Sequence, residues 1–95
     1  KLGYMITAFI TITMESSKHF QSLITKSKEV DEILECHAIT GEGTYLLKIK
    51  TQNTNTLEKL LAKIQSWVGV MNTKTNIVLS TPKEEVNIKI LKQKE

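Results

Sequence analysis

Cys36 and His37 stand side by side and carry the side-chain types of a nucleophile and its base. They fall within a run of β-branched and apolar residues, from about Ile33 to Thr40, that predicts a β-strand. Consecutive side chains on a strand point to opposite faces, so the thiol cannot hydrogen-bond the imidazole. The adjacent pair is therefore not a catalytic dyad.

Glu35 and His37 are two residues apart and would share one face of the same strand. Such a pair can act as an acid–base couple, although a polar pair on a strand surface is the simpler interpretation. His19 is expected to lie on the surface of a helix. The chain has one cysteine and two histidines, which is poor material for a zinc site, and it contains no phosphate-binding or dinucleotide-binding glycine motif. We therefore expect no metal, no cofactor and no enzymatic activity.

Gly41 and Gly43 lie between two runs with strand character, and they predict a tight hairpin connection. Glycine adopts the positive φ that short connections require, and it leaves backbone N–H groups uncovered for a ligand. Spacing alone favours a plain hairpin turn.

The elements around this turn follow from periodicity. Alternation from Tyr4 to Met14 predicts the first strand, and Ser16 or Ser17 can cap a short amphipathic helix that ends at about Lys26 or Ser27. The strands on either side of the glycines are expected at about Val30 to Thr40 and Tyr45 to Thr51.

A second helix is predicted after a polar loop, with Asn55 and Glu58 forming a capping box at its start. Its apolar stripe has helical spacing and comprises Leu57, Leu60, Leu61, Ile64 and Val68. Gly69 is expected to close this helix in a left-handed conformation. A fourth strand follows, with Met71, Thr73, Thr75, Ile77 and Leu79 on one face, and Pro82 ends it. Val86, Ile88 and Ile90 predict a short edge strand in the tail.

The order strand, helix, strand, strand, helix, strand predicts an α+β fold of the ferredoxin-like, split βαβ type. Right-handed crossovers place both helices on one face of a four-stranded antiparallel sheet. The other face, which includes Phe9, would be left uncovered, and it is expected to pair with the sheet of a second copy.

The length, composition and net charge of the chain exclude some classes of protein. Ninety-five residues form a single domain, with no apolar run long enough to cross a membrane and no signal-peptide pattern. A single cysteine is typical of a reducing cytoplasm. The net charge is +3, but all 13 basic residues are lysine, and the lack of arginine argues against sequence-specific DNA reading by this segment. A chain that begins at Lys1 without methionine is expected to be part of a longer protein.

Several segments resemble the effector domain of the Lrp/AsnC transcriptional regulators of bacteria and archaea. These are Glu35-Cys36-His37, Ile39-Thr40-Gly41 and Tyr45-Leu46-Leu47-Lys48 around the turn, Leu2-Gly3-Tyr4 with Ala8-Phe9-Ile10, and Gly69-Val70 with Thr73, Thr75, Ile77, Val78 and Leu79. The resemblance runs from about Leu2 to Lys83.

The resemblance implies a module that senses a small effector, usually an amino acid, and that assembles into dimers and octameric rings. DNA would be bound only by an N-terminal helix-turn-helix domain, which has no counterpart in this chain. The effector is implied to lie between dimers, against Thr40, Gly41, Glu42, Gly43, Thr44, Val70, Thr73 and Thr75. Thr44 departs from the family's usual aspartate, and a neutral hydroxyl is a weaker partner for an ammonium group.

Two other functions remain open from the residues. One is a stand-alone assembly module without an effector. The other is a small dimeric ferredoxin-like enzyme, of the monooxygenase or isomerase type, with a pocket lined by His37, Glu35 or Tyr45.

Overall fold

The computed structural model describes residues 5–41 and 43–84. Its elements confirm the predicted order and the α+β, ferredoxin-like arrangement: β1 (Ile6–Met14), a 3-10 turn (Ser17–His19), α1 (Phe20–Glu29), β2 (Ile33–Ile39), β3 (Thr44–Thr51), α2 (Thr54–Gln65) and β4 (Val70–Ile77).

The four strands form one antiparallel sheet in the order β2-β3-β1-β4. In the middle of the sheet, Ile10 on β1 lies opposite Leu47 on β3 and Thr75 on β4. Near the end of β1, Thr13 lies opposite Thr44 and Asn72, and the β1–β4 register shifts between Thr13 and Met14. This register decides which loops meet at that end of the sheet.

The core lies between the sheet and both helices. Alternate residues of β1 and β3 are buried on this helix-facing side, and Leu23 of α1 and Ile64 of α2 pack onto them. The fully buried apolar residues of the strands are Ala8, Ile10, Ile12, Leu47 and Ile49. The intervening side chains of β1 and β3 lie on the other side of the sheet, which we call the open face.

The first helix begins and ends later than its sequence pattern predicts. The Ser16 hydroxyl accepts a hydrogen bond from the Lys18 N–H at 3.3 Å, so it caps the 3-10 turn, and α1 begins only at Phe20. The helix continues to Glu29 because Ser27, which looks like a terminal polar residue, is buried against the sheet.

The predicted capping box of α2 was placed two residues too late. Asn53 is the N-cap, and its side-chain oxygen accepts from the Thr56 N–H at 3.0 Å. The Thr56 hydroxyl in turn accepts from the Asn53 N–H at 3.1 Å. Threonine therefore performs the reciprocal role that the prediction assigned to Glu58.

The end of α2 also differs from the prediction. The helix stops at Gln65, so the helical stripe does not reach Val68, which is 53% exposed, and Trp67 is buried instead. Gly69 has the predicted positive φ, +86°, but it lies in the turn beyond the helix. Strand β4 ends at Ile77, and Leu79 beyond it is 95% exposed. The predicted tail strand, at residues 86–90, lies outside the described residues.

Candidate functional site

The glycine turn rests on an aromatic pair. Gly41 and Gly43 have φ values of +125° and +71°, which confirms the conformation predicted for them. A Cβ added at Gly43 would lie 3.3 Å from the Phe20 ring, so the turn approaches α1 closely. The Phe20 ring meets the Tyr45 ring edge to face, with centroids 5.3 Å apart. Phe20, the first residue of α1, therefore packs against the turn.

The end of β1 is tied to two glycine-containing segments. The Met14 N–H donates to the Gly43 carbonyl at 2.8 Å, and the Glu15 N–H donates to the Gly69 carbonyl at 2.7 Å. Consecutive backbone groups thus connect the β2–β3 turn on one side and the α2–β4 turn on the other. The loop after β1 is the link between them.

The fold brings together only some of the effector-contacting residues that the family resemblance implies. Strand order and register place Thr44 beside Thr13, and Val70 beside Met14, so both segments lie at the same end of the sheet with β1 between them. Thr40 is exposed next to the turn. Glu42 lies outside the described residues.

Thr73 and Thr75 lie farther along β4, away from the turn. They stand opposite Ile12 and Ile10 on the helix-facing side and are half-buried. The Thr73 hydroxyl accepts a hydrogen bond from the Gln65 side-chain amide at 3.0 Å. Within one protomer, these two threonines are therefore separated from the glycine turn by the width of β1.

A cavity of about 440 Å³ lies where the three segments meet. Its lining includes Gly43 from the turn, the loop after β1 and Met71 from the start of β4; in full it comprises Thr13, Met14, Glu15, Ser16, Ser17, Phe20, Gly43 and Met71. Sequence reasoning missed all of these except Gly43. The position of β1 between β3 and β4 is what brings them together, and it follows from the fold class.

Glu35 and His37 form the shared-face pair that their spacing predicted. Their side chains are 2.9 Å apart on the open face, and both are about half exposed. The hydrogen bond from His37, aided by the charge of Lys48 opposite on β3, holds the pKa of Glu35 below its ordinary value of 4.5. Because both side chains are this exposed, the geometry is that of a pair on the protein surface.

Cys36 points to the other side of the sheet, opposite Leu47. Burial raises the pKa of its thiol, and the nearby Ser27 hydroxyl opposes this effect only partly. A protonated thiol turned away from His37 is a poor nucleophile. The exclusion of a dyad thus agrees with the geometry.

Two kinds of feature are absent from the described part of the chain. Within residues 5–41 and 43–84, no three His, Cys, Asp or Glu side chains are grouped so that they could hold a metal ion. Over the same residues, neither helix has the length and apolarity to cross a membrane.

The open face carries a broad depression of about 540 Å³. Apolar side chains and the lysines of β3 share its lining, which comprises Met5, Thr7, Phe9, Leu34, Lys48, Lys50, Val78, Thr81 and Glu84. Met5 is 46% exposed and Leu34 is 51% exposed, as expected of an uncovered sheet face.

Residues 7–88 match the family model described as the Lrp/AsnC ligand binding domain. The chain belongs to the Lrp/AsnC family. It is 36% identical over 89 residues to the HTH-type transcriptional regulator FL11 of Pyrococcus abyssi, and the match covers 94% of this chain and 58% of that regulator.

Solved structures of Lrp/AsnC proteins share the fold. E. coli AsnC superimposes with a TM-score of 0.82 at 31% identity, covering 90% of this chain and 58% of that one. A feast or famine regulatory protein of M. tuberculosis, complexed with L-methionine, superimposes with a TM-score of 0.74 at 25% identity, covering 88% and 56%.

The chain therefore spans somewhat more than half the length of these Lrp/AsnC relatives. The relatives' names are those of transcriptional regulators and not of enzymes, which confirms the prediction that this domain is not an enzyme.

Proposed function

We propose that this chain is the effector-sensing and assembly domain of an Lrp/AsnC-type transcriptional regulator. It binds an amino acid at a contact between subunits, and the glycine turn and the start of β4 provide the contacts. The carrying observation is the sheet register, which brings both segments to the end of β1 around one cavity.

The ligand class rests on a relative that was solved with L-methionine. A ligand of this size, with about nine heavy atoms at ~0.5–0.7 kcal/mol each, binds with a Kd of roughly millimolar to tens of micromolar. Such an affinity is useful to a sensor of metabolite levels, because the site then fills and empties over the range in which free amino acids vary.

Assembly supplies the means of response. The open face, with Phe9 at its centre, pairs with a second copy, and dimers then join into a larger ring of up to eight chains. An effector bound between subunits shifts this equilibrium by its difference in affinity for the two assembly states. DNA is bound by a separate N-terminal helix-turn-helix domain of the whole regulator.

A thermal-shift panel of the twenty amino acids tests the proposal. Ligand binding to the native state raises the melting temperature by linkage, so one or a few amino acids at about 10 mM should raise it by about 6 °C or more. If no amino acid stabilises a chain that still dimerises, the effector role is overturned and an assembly role alone remains.

Gly41→Val tests whether the turn contacts the ligand, and Gln52→Val is its matched control. Gly41 has a φ of +125°, and a Cβ there would lie 3.0 Å from the Thr44 hydroxyl, so valine distorts the turn. The variant is expected to lose the ligand shift and to keep the dimer. Gln52→Val, in an exposed loop after β3 at the opposite end of the sheet, should keep both.

A further inference from the structure

The residues that line the cavity at the end of β1 include an acid but no base among those described. Its lining residues are one acid, Glu15, the hydroxyl-bearing Thr13, Ser16 and Ser17, the aromatic Phe20, and Met14, Gly43 and Met71. No lysine or histidine is among the described lining residues. A cavity that combines acceptor oxygens, an aromatic ring and no basic side chain favours a cation over an anion.

Glu15 is available to bind such a cation. Its side chain is exposed, and no Lys or His nitrogen of the described residues lies within ion-pair distance of its carboxylate. Its backbone, by contrast, is fixed by the 2.7 Å hydrogen bond to the Gly69 carbonyl. The backbone that carries this carboxylate is therefore fixed at the junction between the two segments that the proposed effector contacts.

We propose that Glu15 binds the ammonium group of the ligand in this cavity. The Ser17 hydroxyl accepts a further ammonium hydrogen, and the Phe20 ring lies beside the charge. This assignment rests on the proposed function, and it makes Glu15 a specificity-determining residue that selects ligands with a free primary amine.

The walls exclude two other ligand classes. A divalent metal ion requires several charged or carbonyl oxygens, and the described lining provides only one carboxylate. A phosphate, or a carboxylic acid without an amine, would meet the Glu15 charge with no ammonium group of its own and no lysine or histidine of the described lining to offset it. An amine-bearing small molecule satisfies the oxygen acceptors and the carboxylate together.

The experiment compares the chain with Glu15→Gln and with Glu58→Gln, an equally exposed glutamate on α2 that makes the same change in charge. Each is tested by thermal shift and by titration calorimetry with the twenty amino acids and with the N-acetyl derivative of each one that binds. We expect Glu15→Gln to weaken binding of every stabilising amino acid at least tenfold. Glu58→Gln should bind as the unchanged chain does, and the N-acetyl derivatives should fail to bind the unchanged chain.

The outcomes separate this inference from the proposed function. If Glu15→Gln binds as tightly as the unchanged chain, or if the N-acetyl derivatives bind equally well, the role of Glu15 is overturned and the effector function stands. If no amino acid binds the unchanged chain, both are overturned. Glu15→Asp keeps the charge on a shorter stem and should restore part of the affinity, which distinguishes lost recognition from a distorted loop.

Discussion

At the scale of single residues, the ion pair on the open face predicts a specific dependence of stability on pH. The hydrogen bond from His37 and the charge of Lys48 lower the pKa of Glu35 in the folded chain, so the folded state holds this proton less readily than the unfolded state. The pair therefore stabilises the fold above the ordinary value of 4.5, and the contribution disappears as the pH falls through the lowered pKa.

Glu35→Gln should accordingly lose stability near neutral pH and show a weaker fall in stability between about pH 5 and pH 3. Urea unfolding at a series of pH values measures the free energy of unfolding for both chains. Glu58→Gln serves as the control and should follow the unchanged chain. If the plots of unfolding free energy against pH run parallel for Glu35→Gln and the unchanged chain, the pair contributes nothing to the pH dependence of stability.

Gly69 illustrates a different residue-scale constraint, since both its φ of +86° and its surroundings demand glycine. A Cβ there would overlap the His19 side chain. Gly69→Ala is expected to cost roughly 2–4 kcal/mol in unfolding free energy, because backbone strain and overlap add. Gly43→Ala, with a φ of +71° and its nearest contact at 3.3 Å, should cost less. Equal losses in a urea titration would rule out the overlap as a separate cost.

At the scale of elements, the start of α2 can be tested directly. Because Asn53 and Thr56 exchange two hydrogen bonds there, Asn53→Ala should destabilise the chain by about 1 kcal/mol. Asn55→Ala removes the residue that the sequence pattern favoured, and it should change stability by less than about 0.5 kcal/mol. Chemical unfolding of the two variants side by side decides between the caps, and the reverse ranking would restore the sequence prediction.

Periodicity predicted the type and order of every described strand and α-helix, because alternating and helical spacing follow from burying one side of a strand or helix, but it did not predict the 3-10 turn at Ser17–His19. The ends were predicted less well. Whether Asn53 or Asn55 caps α2, or whether Ser27 ends α1, depends on tertiary burial and on which side chain reaches a free N–H. The positive φ of Gly41 and Gly43 was predictable because the turn is local. The contribution of Glu15 and Met71 to the same cavity was not, because it needs the register of β1 against β4.

At the scale of the whole molecule, the open face is expected to control assembly. Stable protein interfaces bury roughly 800 Å² on each partner. The open face offers apolar side chains such as Met5 and Leu34 around Phe9 for this purpose. Phe9→Lys adds a charge next to Lys48, which lies opposite it on β3, and should convert a dimer into a monomer.

Light scattering after gel filtration measures this change at micromolar concentration. Gln21→Lys, on the exposed side of α1, adds the same charge away from the open face and should leave the dimer intact. A Phe9→Lys chain that remains dimeric would place the contact elsewhere, and an unchanged chain that is monomeric would remove the basis for assembly-based sensing.

Strand β1 also fixes the distance between the cavity and the opposite end of the sheet. The cavity lies beyond its last residue, Met14. At the other end, β1 begins at Ile6, and the chain that follows β4 lies beside it, where the Val78 N–H donates to the Thr7 carbonyl. Nine residues of extended backbone hold these two ends roughly 26 Å apart. The strand is a stiff spacer with β3 and β4 hydrogen-bonded along both sides, so a small molecule bound at one end cannot contact the other end directly. Under the proposed function, a ligand in the cavity therefore acts on the far end of β1 only indirectly, and a change in how protomers pack offers such a route.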